Sequence, residues 1–288
     1  MSDTEAQGWS LEDEAARNRQ VRTEREAAFW RDRARNRSAA RRWVKWALQP
    51  LDALVHAARI RRNIGDRAQK VAEYLSRPGF KGLQVGCGPF CIPGWQNSDY
   101  LFPRPFFRGL TEAERRMDFH VDITAPLPYP DAALDAVFAE EVIEHVDWPD
   151  AQGFLAEARR VLRPGGVLRL TTPDARGLAR VFAGAIPEVT PAHFEPFWLN
   201  PVWREDLWLN GQFYYYGHRH LWTFEALAEA LRAAGFARVK RVEALETASG
   251  RPELAGLERH GVGNPEIRRL SRHVRLVVEA FRDPASGG

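Results

Sequence analysis

A chain of 288 residues, 44% hydrophobic and 27% charged with a formal net charge of +3, has apolar mass for one large domain plus an appendage. It has no apolar run approaching the length of roughly eighteen residues that a membrane-spanning helix needs, and its polar start, MSDTEAQGWS, lacks the apolar stretch of a secretory leader. The two cysteines, Cys87 and Cys91, lie too close for a structural staple and lack partners for a zinc site, so a reducing cytoplasm and no metal site are expected.

Residues 1–36 are charged, rich in Ala and Arg and only weakly periodic, which predicts a frayed helix or a flexible arm. From Arg17 to Arg62 there are fourteen Lys/Arg against four Asp/Glu, so the remainder of the chain is net acidic. Residues 37–78 read as a basic amphipathic helical extension, with Trp43, Ala47, Leu51, Leu54, Val55 and Ala58 recurring at helical spacing. Pro50 is expected to open a second helix at its first turn, and Asp66 to Leu75 a third. Such helices pack on the following domain or meet an anionic surface. Nucleic acid is the lesser expectation, and peripheral contact with the inner face of a membrane stays open.

After Pro78-Gly79 short apolar runs alternate with helical stretches, the pattern of a parallel α/β sheet over residues 79–288. Strands are predicted at Gly82–Val85, Trp95–Ser98, Asp118–Val121, Ala133–Ala139, Gly166–Thr171, Phe236–Val242 and Val274–Phe281. Helices are predicted at Val142–Leu162 and Phe224–Ala234, the latter capped by Thr223 and ended by Gly235. The connection at about 175–221 is long and aromatic, which suggests either a cap over a site or a satellite core.

The first strand runs into Gly86-Cys87-Gly88, a turn whose missing Cβ atoms let a ligand lie on bare backbone. Asp99 follows only eleven positions after Gly88, too few for a crossover helix. Asp99 with Tyr100, Asp122 with Ile123, Asp135, and Glu140 with Glu141 then mark successive strands, and these acids are expected to gather where open α/β sheets bind ligands. A dinucleotide needs a helix N-terminus against its phosphates. Cys91-Ile92-Pro93-Gly94 offers none, which favours a cofactor without phosphates.

The segments LQVGCG (83–88), PGWQNSD (93–99), VDITAPLPYPDAALDAVFAEEVIEH (121–145), VLRPGGVLRLTTPD (161–174) and HRHLWTFEALAEALRAAGF (218–236) together resemble the class I S-adenosylmethionine-dependent methyltransferases. Closest is the methyltransferase-11-like group with a GCG…PGWxNxD signature. The resemblance covers roughly residues 80–282 and implies a Rossmann-like seven-stranded sheet with its last strand antiparallel. It implies S-adenosylmethionine (SAM) as cofactor, with Gly86, Cys87 and Gly88 at the methionine part, Asp99 at the ribose, Asp122 and Ile123 at the adenine, and Tyr100 as a further cofactor contact. Glu140 and Glu141 would stand near the sulfonium. Gln84 replaces an acid common two residues before the first glycine, and Phe90 stands where a third glycine is common.

For the chemistry, His145, Tyr216, His218 and His220 are the candidate bases or acceptor contacts, each with a purely structural alternative. The expected activity is methyl transfer to an O or N acceptor on a small molecule or sugar-containing, glycan-type metabolite. The alternatives are an RNA or protein methyltransferase that uses the basic arm, or a non-catalytic binding protein of the same fold.

Overall fold

Residues Gly82–Val85 form β1, buried along its whole length and paired on both sides with parallel strands. In this computed structural model the described residues are 20, 39–105, 108–197, 203–259 and 265–284. The arm expected over residues 1–36 therefore falls, apart from Gln20, outside the described residues.

The other strands are β2 (Gln96–Asp99), β3 (Phe119–His120), β4 (Leu134–Glu140), β5 (Leu162–Pro173), β6 (Arg238–Arg241) and β7 (Arg275–Phe281). Their order in space is β3-β2-β1-β4-β5-β7-β6. β1 to β5 run parallel, and β7 is antiparallel to both β5 and β6. The chain leaves β1 toward β2 on one side and later returns to β4 on the other. That reversal opens a crevice at the carboxyl ends of β1 and β4. Register aligns those ends: Val85 pairs with Ser98 and with Ala139, and Ala139 with Leu170.

The link from β1 to β2, residues 86–95, contains no helix. The gap before Asp99 is thus a compact, irregular crossover. Gln84 helps hold it: its buried side chain donates to the Phe90 carbonyl at 3.0 Å and accepts from Ile92 N at 3.1 Å. The glutamine that replaces the expected acid is committed to this loop.

Helices α1 (Ala39–Ile64) and α2 (Arg67–Ser76) precede the sheet. The sequence predicts a restart at Pro50, but α1 continues through it. Proline removes one backbone donor, and the rest of the helix is long enough to span the gap. Lys70 Nζ donates to the Asp118 carbonyl at 2.8 Å and Asn63 Oδ1 accepts from His120 N, which ties this helical pair to the β3 edge. Trp46 and Leu54 of α1 remain exposed. Glu112–Arg116 forms α3, opened by a Thr111–Glu114 capping box.

The helix predicted over Val142–Leu162 is divided. Ile143–His145 is a 3-10 turn, and α4 begins only at Trp148 and ends at Val161. Asp147 caps α4 by accepting from Asp150 N, and Pro149, with no N–H to satisfy, suits its first turn. α4 buries Ala151, Phe154, Leu155, Ala158 and Val161, a single face at helical spacing. Leu162 then opens β5 well before the predicted Gly166.

The long aromatic connection holds α5 (Ala175–Phe182) and α6 (Glu205–Asn210). Part of it is a satellite core, in which Leu178, Val181, Val189 and Trp208 are buried and Phe194 stacks on Trp208 at 5.1 Å between centroids. Phe213, Tyr214 and Tyr216 stay exposed. The predicted Thr223 cap and Gly235 terminus both form around α7 (Phe224–Ala233), with Gly235 at φ 90°. Pro265–Ser271 forms α8.

Beneath the second half of the sheet Arg169 is fully buried between two buried acids. It donates to Glu258 at 2.7 Å and to Glu279 at 2.6 Å. Glu279 faces Arg169 directly across the β5–β7 pair.

Candidate functional site

The turn after β1 is built by backbone geometry. Gly86 (φ 70°) and Gly88 (φ 50°) both occupy the left-handed region that side chains avoid. A Cβ at Gly86 would overlap the Val142 side chain, whereas one at Gly88 would enter open space. Cys87 N donates to the Ser98 carbonyl at 3.0 Å and Gly88 N to Asp99 Oδ2 at 2.7 Å. Tyr100 N takes the other carboxylate oxygen at 2.7 Å. Asp99 is thereby aimed by two backbone donors, and each oxygen keeps a lone pair for a further partner. Burial raises its pKa above the ordinary aspartate value, against the two backbone donors that lower it.

Cys87 departs from the rest of the turn. Its side chain is buried beside Leu101 and Met117, and burial, then the Asp99 carboxylate, push the thiol pKa far up. Its backbone belongs to the turn, but its sulfur points into the core.

Around this turn opens a cavity of about 580 Å³ lined by Gly86, Gly88, Asp99, Tyr100, Asp122, Ile123, Glu140, Glu141 and His145. Nearly all the residues singled out for the cofactor therefore meet at one place. Asp122 leaves β3 with Oδ1 accepting from both Thr124 N (3.0 Å) and Thr124 Oγ1 (2.8 Å). Glu140 is less available than its position suggests, because its carboxylate oxygens accept from Arg259 N at 3.0 and 2.9 Å. Glu141 has φ 54°, uncommon for a residue with a side chain and of the kind that clusters at functional sites. Arg275 Nε holds its carboxylate at 3.1 Å.

Asp135 does not join them. It opens β4, so it stands at the opposite end of the sheet, where it accepts from Lys81 N at 2.8 Å and lies 3.2 Å from Arg163. Alternation along the sequence gives no sense of which end of a strand an acid occupies; parallel register does.

The four candidate catalytic residues assemble beyond the end of β4. The Glu144 carbonyl accepts from Arg219 N at 2.7 Å and His220 N at 3.2 Å, which latches the 218–222 strip to the 143–145 turn. His145 and His218 rings then lie 4.9 Å apart between centroids, and Tyr216 lies 5.7 Å from His218. His220 is set apart, with Trp148 at 5.3 Å and Trp222 at 4.5 Å. Burial lowers the pKa of both His218 and His220, and the neighbouring His145 lowers that of His218 further. Of the four, His145 alone lines the cavity.

Two contributors escape the sequence reading. Arg219 is a cation on the cavity wall, carried there by the latched strip. Glu144 is fully buried next to the candidates, with Oε2 accepting from Thr172 Oγ1 at 3.0 Å. Burial, then the neighbouring Glu141, push its pKa well above the usual carboxylate range. Its closeness to His145 in sequence was the one available signal.

The lining is chemically lopsided: Asp99, Asp122, Glu140, Glu141 and Asp150 against Arg219. Such a wall disfavours phosphates and accommodates a ligand that carries positive charge together with hydroxyls. The open side of Gly88 and the free lone pairs of Asp99 fit SAM on the same grounds.

Parts of the chain are similar to known proteins. Residues 107–170 match the family model described as a methyltransferase domain. A probable S-adenosylmethionine-dependent methyltransferase of Mycolicibacterium smegmatis is 49% identical over 59 residues, 20% of this chain and 22% of that protein. The 27-O-demethylrifamycin SV methyltransferase of Amycolatopsis mediterranei is 32% identical over 159 residues, 46% of this chain and 58% of that protein. The aligned parts thus span well under two thirds of either relative. Among solved structures, a SAM-dependent methyltransferase from Thermotoga maritima, described as a possible histamine N-methyltransferase, superposes with TM-score 0.41 at 20% identity. The match covers 83% of this chain and 97% of that one.

Proposed function

We propose that this chain, with its seven-stranded sheet and a segment that matches a methyltransferase domain, transfers a methyl group from SAM to an oxygen or nitrogen. The acceptor is a small molecule or sugar-containing metabolite. The observation that carries the reading is the acid-rich cavity that joins the bare Gly86–Gly88 turn to Asp99 and Asp122 at the switch point of the sheet. The relative named for 27-O-demethylrifamycin SV favours a small-molecule acceptor.

When bound, SAM supplies an electrophilic methyl on a sulfonium. The chain's own part is to bind, orient and exclude water. Gly86 and Gly88 would offer backbone without side chains to the amino-acid end, and Asp99 would hold the ribose hydroxyls. Asp122 and Ile123 would hold the adenine. His145, with His218 and Tyr216 behind it, forms the acceptor end of the cleft, and His220 braces it against Trp148 and Trp222. Holding acceptor and methyl donor in line accounts for much of the rate in such a displacement.

Calorimetric titration with S-adenosylhomocysteine tests this. The wild-type chain is expected to bind, and Asp99→Ala to bind about 10- to 100-fold more weakly, the worth of hydrogen bonds to a charged group. A folded wild-type chain that binds neither S-adenosylhomocysteine nor SAM rejects the reading.

A further inference from the structure

We propose that Glu144, His145 and His218 form a binding site for a divalent transition-metal ion at the acceptor end of the cleft. One ligand atom from each lies within 4.8 Å of those from the other two. The sequence suggests no such site, since its only metal-type signal was a cysteine pair without partners. The fold creates it by latching residue 218 to residue 144, 74 positions apart, through the Glu144 carbonyl and the backbone N–H groups of Arg219 and His220.

The second observation is the state of Glu144. Its side chain is completely buried, Oε2 is held by Thr172, and Oε1 meets no donor in hydrogen-bond geometry among the described residues, with the Glu141 carboxyl as its interacting neighbour. The nearest His218 nitrogen, Nε2, is 4.0 Å from Oε1, too far for a hydrogen bond. Glu141 adds a second carboxylate beside it, with Arg275 held on Glu141. A buried acceptor that faces two imidazoles and another carboxylate lacks a cation that all of them can share.

The donor set selects the kind of ion. Two imidazoles and one carboxylate suit zinc and its first-row neighbours; calcium and magnesium prefer oxygen alone. Three protein ligands leave coordination positions open. His145 sits on the wall of the cavity that also contains Gly86 and Asp99, so an ion it held would lie at the edge of that cavity. Direct bonds of about 2.0–2.2 Å require the donors to close in, and His145, exposed at the end of its turn, is the one with room to move. Resting on the methyl-transfer reading, the ion would meet a hydroxyl acceptor there and lower its pKa. The binding site itself does not depend on that reading.

The test uses the full chain after chelator treatment, titrated with Co²⁺ and followed by visible absorption, with Zn²⁺ as competitor. About one equivalent of Co²⁺ is expected to bind and be displaced by Zn²⁺. His145→Ala and His218→Ala are each expected to weaken binding ~100-fold or more, beyond what is lost with an outer-shell partner. His273→Ala serves as the control and is expected to bind as wild type. Glu144→Gln alters a fully buried group, so the two histidine variants, checked for folding by circular dichroism, carry the decision. Failure of the folded wild type to bind Co²⁺, or binding unchanged in both histidine variants, overturns the proposal. S-adenosylhomocysteine titrated in parallel separates the two ideas: metal binding without it rejects only the methyl-transfer reading, and the reverse rejects only the metal site.

Discussion

The two walls of the cleft are made on different terms. The wall at β1 and β2 is made of backbone: two left-handed glycines, and an aspartate whose direction is fixed by the N–H groups of Gly88 and Tyr100. The wall beyond β4 is made of side chains from distant parts of the chain, among them His145 and Arg219, and behind it Glu144 is buried with an oxygen unsatisfied. A wall whose groups are already paired is preorganised and needs only a ligand of the right shape. A wall with an unpaired buried acceptor is complete only when something else arrives. On the proposed reading, the first wall would meet the cofactor and the second the acceptor.

Substitutions can break this contrast or sharpen it. The largest effect is expected in the buried core at β5 and β7, where Arg169→Met leaves Glu258 and Glu279 buried without their cation. A loss of about 3–5 kcal/mol in urea unfolding is expected, and both walls fail together. Gly86→Ala strikes the backbone-built wall alone. The positive φ and the overlap with Val142 together are expected to remove about 2–4 kcal/mol of stability and abolish measurable S-adenosylhomocysteine binding. An alanine there that left calorimetric binding intact would show that the bare backbone is not what the cofactor meets.

Thr172→Val, behind the opposite wall, removes the Glu144 partner without changing shape. About 1–2 kcal/mol of stability is expected to go, measured by thermal unfolding, with S-adenosylhomocysteine affinity kept. The smallest effect is expected from Glu140→Gln, since the carboxylate is already engaged by Arg259 N and an amide oxygen can replace it there. Cofactor affinity should stay within about 2-fold of wild type in the same titration, a difference well below 1 kcal/mol. A large loss would instead mean that Glu140 touches the ligand directly.

Much of the first wall was legible because its signals are local. Gly86, Gly88 and Asp99 lie within one short stretch, and the missing room for a helix between them was visible as a count of positions. The successive acids could be ordered along the chain, but Asp135 was grouped with the others until parallel register put it at the far end of β4. Pro50 read as a helix start because a proline favours that position, yet α1 runs on through it. The second wall was legible only as a set of types. Histidines and a tyrosine could be singled out, but no local pattern shows that residue 218 meets residue 145.

The sequence by itself determined the alternation of strands and helices, the glycine turn and the order of the acids. Each of these follows from steric and hydrophobic preferences that act over a few residues. Tertiary structure alone decided that Glu144 is buried beside His145 and His218, and that Arg219 joins the cavity wall. It also decided that Arg169 finds Glu258, 89 positions away. Those pairings depend on strand order and loop latching, which bring together groups whose chemistry is set by burial and by neighbours distant in sequence.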